Sequence, residues 1–125
     1  MAKILIVEDD ESVRTLSARA LERAGHTVHV AVDGAQGLER ITEANGDYSL
    51  VVSDIRMPAM DGIEMAKAAA AAFTHLKIML MTGYADQRER AEDLNGIILD
   101  VMQKPFTLAE IRSRVEKALA QPLAA

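Results

Sequence analysis

Five polar side chains follow short apolar runs of the sequence, and their chemical types suit phosphoryl chemistry. Glu8 and Asp9 follow the run ILIV, Asp54 follows LVVS, Thr82 follows IMLM, and Lys104 follows IILDVMQ. Carboxylates that lie close together repel one another and take up protons unless a cation neutralises them. An all-oxygen, acidic site suits Mg²⁺. A hydroxyl and an ammonium group opposite such a metal could hold the oxygens of a transferred phosphoryl group, with Asp54 as the nucleophile.

The apolar runs alternate with helical patterns, and this alternation predicts where the five side chains lie. Strands are predicted at residues 4–7, 26–32, 50–52, 78–81 and 97–102, and helices at 13–24, 33–45, 62–73, 86–94 and 107–119. Five strands alternating with five helices predict an α/β fold, a doubly wound parallel sheet with helices on both faces. Ligands bind such sheets at the carboxyl ends of the strands. We therefore expect the five side chains to meet at one edge.

The helical segments carry capping signals and apolar stripes. Asp10 and Asp33 are expected to cap the first and second helices, and the segment 107–110 (TLAE) is a capping box that opens the last helix. The inward-facing residues of the first and last helices are predicted from their spacing. They are Val13, Leu16, Ala20, Leu21 and Ala24 in the first helix, and Leu108, Ile111, Val115 and Leu119 in the last.

Composition excludes several classes of function. The chain has 125 residues, which is one domain, and half of them are hydrophobic. A net charge of -5 argues against a nucleic-acid surface, which needs clustered Lys and Arg. The absence of cysteine excludes disulfides and thiolate metal sites. No apolar run approaches the roughly 20 residues that span a bilayer, and none suits a signal peptide. We expect a cytoplasmic protein without membrane insertion.

The segments that carry these residues resemble the receiver domains of two-component response regulators. The matching segments are LIVEDD, SDIRMPAMDG, MTGYAD and KPF, and the resemblance covers nearly the whole chain. It implies a flavodoxin-like (CheY-like) fold with strand order 2-1-3-4-5. The receiver domain is expected over residues 1–120, with a short tail at 121–125 and no output domain.

The resemblance also assigns a role to each site residue. Asp54 is implied to accept a phosphoryl group from a histidine kinase or histidine phosphotransfer protein. The implied Mg²⁺ ligands are Asp9, Asp54, the main-chain carbonyl of Arg56 and, through water, Glu8. Thr82 is implied to hydrogen-bond to the phosphoryl group and Lys104 to pair with it, next to a cis peptide bond before Pro105.

The resemblance further implies a signalling switch rather than an enzyme that turns over other substrates. The phosphorylated protein is expected to lose its phosphate slowly, because Arg56 and Tyr84 are large side chains beside the path of the attacking water. The downstream partner is expected to bind the fourth helix, fifth strand and fifth helix. Val101 stands where many family members carry an aromatic residue, so a relay through that side chain is not expected.

Several alternatives remain open at the level of sequence. A haloacid-dehalogenase-type phosphatase also uses an aspartyl phosphate, but its nucleophile lies at the first strand. A degenerate receiver would bind partners without phosphate. Among stand-alone receivers, the segments DDxxxR, TGYAD and KPF resemble the alphaproteobacterial CpdR type, which acts as an adaptor for a cytosolic AAA+ protease. A chemotaxis-type regulator and a phosphorelay shuttle are the other candidates.

Overall fold

The apolar runs form five strands of one parallel sheet. The computed structural model describes residues 2–83, 94 and 96–122. The strands are β1 (Lys3–Val7), β2 (Thr27–Ala31), β3 (Leu50–Asp54), β4 (Ile78–Thr82) and β5 (Asp100–Gln103). Their order is β2-β1-β3-β4-β5, as predicted, and every neighbouring pair is parallel. The central strands β3 and β4 are buried along their whole length, as a sheet covered on both faces requires.

Four helices lie within the described part of the chain. They are α1 (Glu11–Arg23), α2 (Gly34–Glu43), α3 (Gly62–Ala72) and α4 (Leu108–Ala120). Each begins after a side chain that accepts a backbone N–H of the first turn: Asp10, Asp33, Asp61 and Thr107. The capping box at Thr107 and Glu110 is confirmed. The helix predicted at 86–94 falls outside the described residues except for its last position, so the C-terminal helix is named α4 here.

Two hydrophobic cores cover the two faces of the sheet. One packs α2 and α3 against the sheet through residues that include Leu5, Val7, Val51, Ile41 and Met65. The other packs α1 and α4 against the opposite face through residues that include Ile4, Val52, Leu21, Ile111 and Val115. Met79, Met81 and Met102 are buried in this second core. The doubly wound arrangement follows from the alternation of side chains along each strand.

Two helical positions that were predicted to face inward are exposed. In α1 the buried stripe runs through Ser17, Ala20 and Leu21, which leaves the adjacent Leu16 53% exposed. In α4 the buried residues are Ile111, Val115 and Ala118, while Leu108 in the first turn is 41% exposed. The prediction was wrong at Leu16, because the adjacent small residue Ser17 takes the buried position, and at Leu108, because it lies in the first turn of α4 before the buried stripe that starts at Ile111. Ala24, the C-cap residue after α1, is exposed as well.

The fifth strand is shorter than predicted. β5 begins at Asp100 rather than at residue 97, and its register pairs Asp100 with Met79 and Gln103 with Thr82. The apolar residues before it lie just outside the strand, where Leu99 N donates a hydrogen bond to Ile78 O (2.8 Å). Asp100 is held at the start of the strand by an ion pair with Arg114 of α4.

Candidate functional site

The carboxyl ends of four strands bring the predicted site residues to one edge of the sheet. Glu8 follows β1, Asp54 is the last residue of β3, Thr82 is the last residue of β4, and Lys104 follows β5. The register places Asp54 beside Met81 and Thr82 beside Gln103, so successive strands end at nearly the same level. Parallel strands turn their carboxyl ends to the same side. The convergence that the sequence predicted is therefore confirmed.

Three carboxylates form the acidic part of this site. Glu8, Asp9 and Asp54 each offer an oxygen, and these oxygens all lie within 4.8 Å of one another. Glu8 is fully buried, Asp54 is 8% exposed, and Asp9 is exposed to solvent. Oxygen ligands with carboxylate charge, open on one side to water, are the donor set that Mg²⁺ takes in proteins. The residues present fit a divalent cation of this kind.

Lys104 neutralises two of these carboxylates. Its Nζ lies 2.7 Å from Glu8 Oε1 and 3.2 Å from Asp54 Oδ2. Its main-chain N–H donates to Thr82 O (2.8 Å), which ties the residue to the end of β4. The peptide bond between Lys104 and Pro105 is cis, as the resemblance implied. The ammonium group thus lies between the candidate nucleophile and the deepest carboxylate.

Burial and neighbouring charges shift the pKa of both Glu8 and Lys104. Burial raises the pKa of Glu8 to about 7, and the nearby Asp54 charge adds to the rise while the Lys104 hydrogen bond opposes it. Burial alone would lower the pKa of Lys104. The hydrogen bond to Glu8 and the charges of Asp54 and Glu8 outweigh this effect, and the pKa of Lys104 is raised. Lys104 therefore stays cationic at neutral pH.

Backbone groups fix the two carboxylates that Lys104 contacts. Ile55 N donates to Asp54 Oδ1 (3.0 Å), which leaves Oδ2 toward the ammonium group. Asp10 N donates to Glu8 Oε2 (3.2 Å), and Arg14 Nη1 donates to the main-chain oxygen of Glu8 (3.0 Å). The role of Arg14 was not predicted, although it is the Arg of the DDxxxR segment. These contacts orient the carboxylates before any ligand binds.

A groove of about 980 Å³ opens from the carboxylates onto an apolar wall. The predicted ligand Arg56 lines the groove, together with Glu8, Asp9 and Asp54. The apolar wall includes Val13, Leu16, Phe106 and Leu108. The exposed side chains of Leu16 and Leu108 therefore both border the site. Sequence reasoning missed this wall because it assigned these leucines to the core.

The sequence matches the family of response regulator receiver domains over residues 4–116. With that match and the strand-end site, the chain belongs to the receiver domains of two-component response regulators. The phosphatase alternative does not agree with this family or with the position of Asp54 on the third strand. Receiver domains bind Mg²⁺ at an acidic pocket and interact with histidine kinases or phosphotransfer proteins.

Two individual relatives and one solved structure show how similar the chain is to particular receiver proteins. The chain is 39% identical to the response regulator receiver protein CpdR of Brucella abortus, and the match covers 95% of this chain and 98% of that protein. It is 33% identical to the sensor kinase CckA of the same organism over 94% of this chain, but this spans only 12% of CckA. The crystal structure of response regulator TrrA from Thermotoga maritima with Mg²⁺-BeF is 29% identical, covers 94% of this chain and 99% of that one, and superposes with a TM-score of 0.84.

The remaining observations concern three single residues, Tyr84, Val101 and His26, and the search for membrane-spanning helices. Tyr84 lies outside the described residues. Val101 is partly buried in β5. His26, just before β2, has a largely buried side chain that pairs with Glu116 (Nε2 to Oε1, 2.8 Å). Among the helices of the described residues, none is long and apolar enough to cross a membrane.

Proposed function

We propose that Asp54 accepts a phosphoryl group, with Mg²⁺, from a histidine kinase or histidine phosphotransfer protein, and that this change switches a protein-binding surface. The observation that carries the proposal is the position of Asp54 Oδ2. It lies 3.2 Å from Lys104 Nζ and within reach of two further carboxylates at the open edge of the sheet. A nucleophilic carboxylate needs this combination of a nearby cation and an open approach.

In the proposed reaction, an oxygen of Asp54 attacks the phosphorus atom of a phosphohistidine. The phosphorus–nitrogen bond breaks, its electron pair leaves with the imidazole, and an acyl phosphate forms on Asp54. Oδ2 is the attacking oxygen in this scheme, because Oδ1 accepts the Ile55 N–H. Bound Mg²⁺ would offset the charge of the carboxylates and of the phosphoryl oxygens, held by Asp9, Asp54, the Arg56 carbonyl and, through water, Glu8.

Lys104 and Thr82 are proposed to receive the new phosphoryl oxygens. Lys104 holds Asp54 and Glu8 before the reaction, so it has to turn only its ammonium group to pair with the phosphoryl group. Thr82 is 1% exposed at the end of β4, on the strand next to Asp54. Its hydroxyl is the proposed hydrogen-bond donor to a phosphoryl oxygen. We propose no turnover of other substrates beyond this transfer and a slow loss of the phosphate.

Incubation with acetyl phosphate and Mg²⁺, followed by intact mass measurement, tests the proposal. The expected result is one added phosphate on the parent protein, and none on Asp54→Asn or in the presence of a chelator. A parent protein that gains no phosphate supports the degenerate receiver instead. Steady turnover of added phosphate esters would contradict the signalling role.

The downstream role that we favour is that of a cytoplasmic protein adaptor, with no direct contact to nucleic acid. The likeness to CpdR supports it, because the match covers 98% of that protein, and receivers of the CpdR type act as adaptors for an AAA+ protease. A chemotaxis-type regulator or a phosphorelay shuttle is the alternative. Pull-downs with phosphorylated and unphosphorylated protein separate these roles by the partner whose binding depends on phosphorylation. An adaptor would retain an AAA+ protease component, a chemotaxis-type regulator would retain a motor protein, and a shuttle would retain a phosphotransfer protein. The proposed surface consists of β5, α4 and the segment 86–94, for which the sequence predicts the fourth helix.

A further inference from the structure

The loop between β3 and α3 contains a strained turn. Ala59 has a φ of 68°, which lies in the left-handed region that side chains other than glycine rarely adopt. Met60 N donates to Pro58 O (2.9 Å), so the three residues form a γ-turn with a positive φ at its centre. Such strain persists only when the surrounding structure holds it in place. The question is which group holds this turn.

Helix α2 begins directly against the turn. A Cβ atom placed on Gly34 would lie 2.1 Å from Met60 O and 2.8 Å from Met60 C. Both are main-chain atoms, so they cannot move aside as the end of a flexible side chain would. Gly34 is required here for space, and an alanine would have to displace either helix α2 or the Met60 peptide group.

Helix α2 is the better anchored of the two. Asp33 Oδ1 accepts a hydrogen bond from Gln36 N (2.8 Å) and fixes the first turn. One turn along, Gly37 packs closely on β1 and α3: a Cβ there would lie 2.9 Å from both Val7 Cγ2 and Met65 Sδ. A methyl group at position 34 would therefore displace the Met60 peptide group rather than the helix.

The far ends of the loop are also fixed. Gly62 N donates to Ile55 O (2.8 Å), and a Cβ on Gly62 would lie 2.1 Å from Asp54 O. A displacement at Met60 must then be absorbed by the residues between these anchors, which include Arg56. This residue supplies the main-chain carbonyl that the proposed function assigns to Mg²⁺.

We infer that Gly34 is a positioning residue for the divalent cation site. By leaving room for the Met60 peptide group, it keeps the γ-turn closed and, with it, the position of the Arg56 main-chain carbonyl. The inference rests on the proposed function, since it needs the Arg56 carbonyl to be a ligand. A second helix, remote in sequence from the carboxylates, thereby contributes to metal affinity.

Mn²⁺ binding to the unphosphorylated protein, followed by electron paramagnetic resonance, tests this inference. Gly34→Ala is expected to weaken Mn²⁺ binding by about tenfold, the lower end of what loss of an outer-shell contact costs a metal site. The rate of phosphorylation by acetyl phosphate should return toward that of the parent at saturating Mg²⁺, because the nucleophile itself is not moved. An unchanged Mn²⁺ affinity in a folded Gly34→Ala protein would overturn the inference.

Gly37→Ala is the matched control, since it lies on the same helix and its methyl group meets side chains rather than the loop. It is expected to lower stability while leaving the Mn²⁺ affinity unchanged. Equal losses in the two variants would mean that general displacement of α2, and not the contact with Met60, matters. Adding Ala59→Gly to Gly34→Ala should restore part of the affinity, because glycine lets the turn re-form in a shifted position.

A further variant separates failure of this inference from failure of the proposed function. If Asp9→Ala binds Mn²⁺ as well as the parent, the metal site itself is wrongly assigned. If Asp9→Ala loses the ion and Gly34→Ala does not, only the role of Gly34 fails. Should Gly34→Ala not fold, a Mg²⁺ titration of the parent protein decides: the amide signals of Gly34 and Met60 should shift with the same midpoint as that of Arg56, and a stationary Gly34 signal would contradict the coupling.

Discussion

At the scale of single residues, the site is a balance between one cation and three carboxylates. Lys104 contacts both Glu8 and Asp54, while Asp9 lies exposed at the rim. The fully buried Glu8 tolerates its position because Lys104 Nζ and Asp10 N both donate hydrogen bonds to its carboxylate. A divalent cation would enter a site in which Lys104 already contacts two of the three carboxylates, and Asp9 carries a further negative charge at the rim. The individual substitutions therefore have separable effects.

Asp54→Asn is expected to abolish phosphorylation without unfolding the protein. The amide keeps the shape of the carboxylate and removes one of the two negative charges next to Lys104, and it relieves the repulsion that raises the pKa of Glu8. Its melting temperature without Mg²⁺ should equal or exceed that of the parent. Intact mass and thermal unfolding measure the two effects. A variant that gains phosphate at the parental rate would show that Asp54 is not the acceptor.

Asp9→Ala and Glu8→Ala are expected to differ in their effect on Mg²⁺ binding. Asp9 is the proposed direct ligand and Glu8 acts through water, so the loss should be larger for Asp9, above about 100-fold against about tenfold for Glu8. Calorimetric titration with Mg²⁺ gives both dissociation constants. Equal losses in the two variants would contradict these roles.

At the scale of elements, the loop between β3 and α3 connects the nucleophile to the helix that follows it. Asp54 ends β3, and Gly62 begins α3. A Cβ atom placed on Gly62 would lie 2.1 Å from Asp54 O. Asp61 caps α3 by accepting the Glu64 N–H (2.9 Å). The glycine of this Asp61-Gly62 pair is needed for close packing on the Asp54 main chain.

Gly62→Ala is expected to disturb both stability and phosphorylation. The methyl group would overlap main-chain atoms, and overpacking of this kind costs about 1–3 kcal/mol. Asp61→Ala is the matched comparison: it removes a helix cap, which costs about 1 kcal/mol, without any overlap at Asp54. Denaturant unfolding and acetyl phosphate labelling should show that Asp61→Ala loses stability alone, while Gly62→Ala loses both. Parental labelling of Gly62→Ala would exclude a role of this contact in placing the nucleophile.

At the scale of the whole molecule, the alternation of apolar runs and helices predicted the sheet and the edge where the site lies. The positions of Glu8, Asp54, Thr82 and Lys104 followed because each comes at the end of an apolar run. The start of β5 could not be predicted, since residues 97–99 are as apolar as a strand. Contacts between distant segments, such as Gly34 with Met60, leave no periodic signal in the sequence.

We expect the end of the molecule that carries the site to respond to phosphorylation, and the opposite end to stay fixed. At the site end, Lys104 links Asp54 to the end of β4 and precedes the first turn of α4. At the opposite end, Lys77 Nζ donates to the main-chain oxygens of Ala118 (3.4 Å) and Leu119 (2.9 Å), the last turn of α4. His26 pairs with Glu116 on the same turn. A signal that started at the proposed acceptor Asp54 would therefore reach a helix that is anchored at its far end.

We predict that a beryllofluoride phosphate mimic with Mg²⁺ shifts amide signals near the site and leaves the far end of α4 unchanged. Lys104 must turn toward the new oxygens, and its main-chain N–H carries this change to Thr82 O, so the signals of Thr82, Lys104 and Phe106 should move most. The signals of Glu116 and Leu119 should stay in place, because His26, between α1 and β2, and Lys77, just before β4, hold that turn. Thr82→Ala serves as the control and should reduce the response beyond residues next to Asp54. Shifts at Glu116 as large as those at Lys104, or a full response in Thr82→Ala, would contradict a signal that travels through β4 and β5.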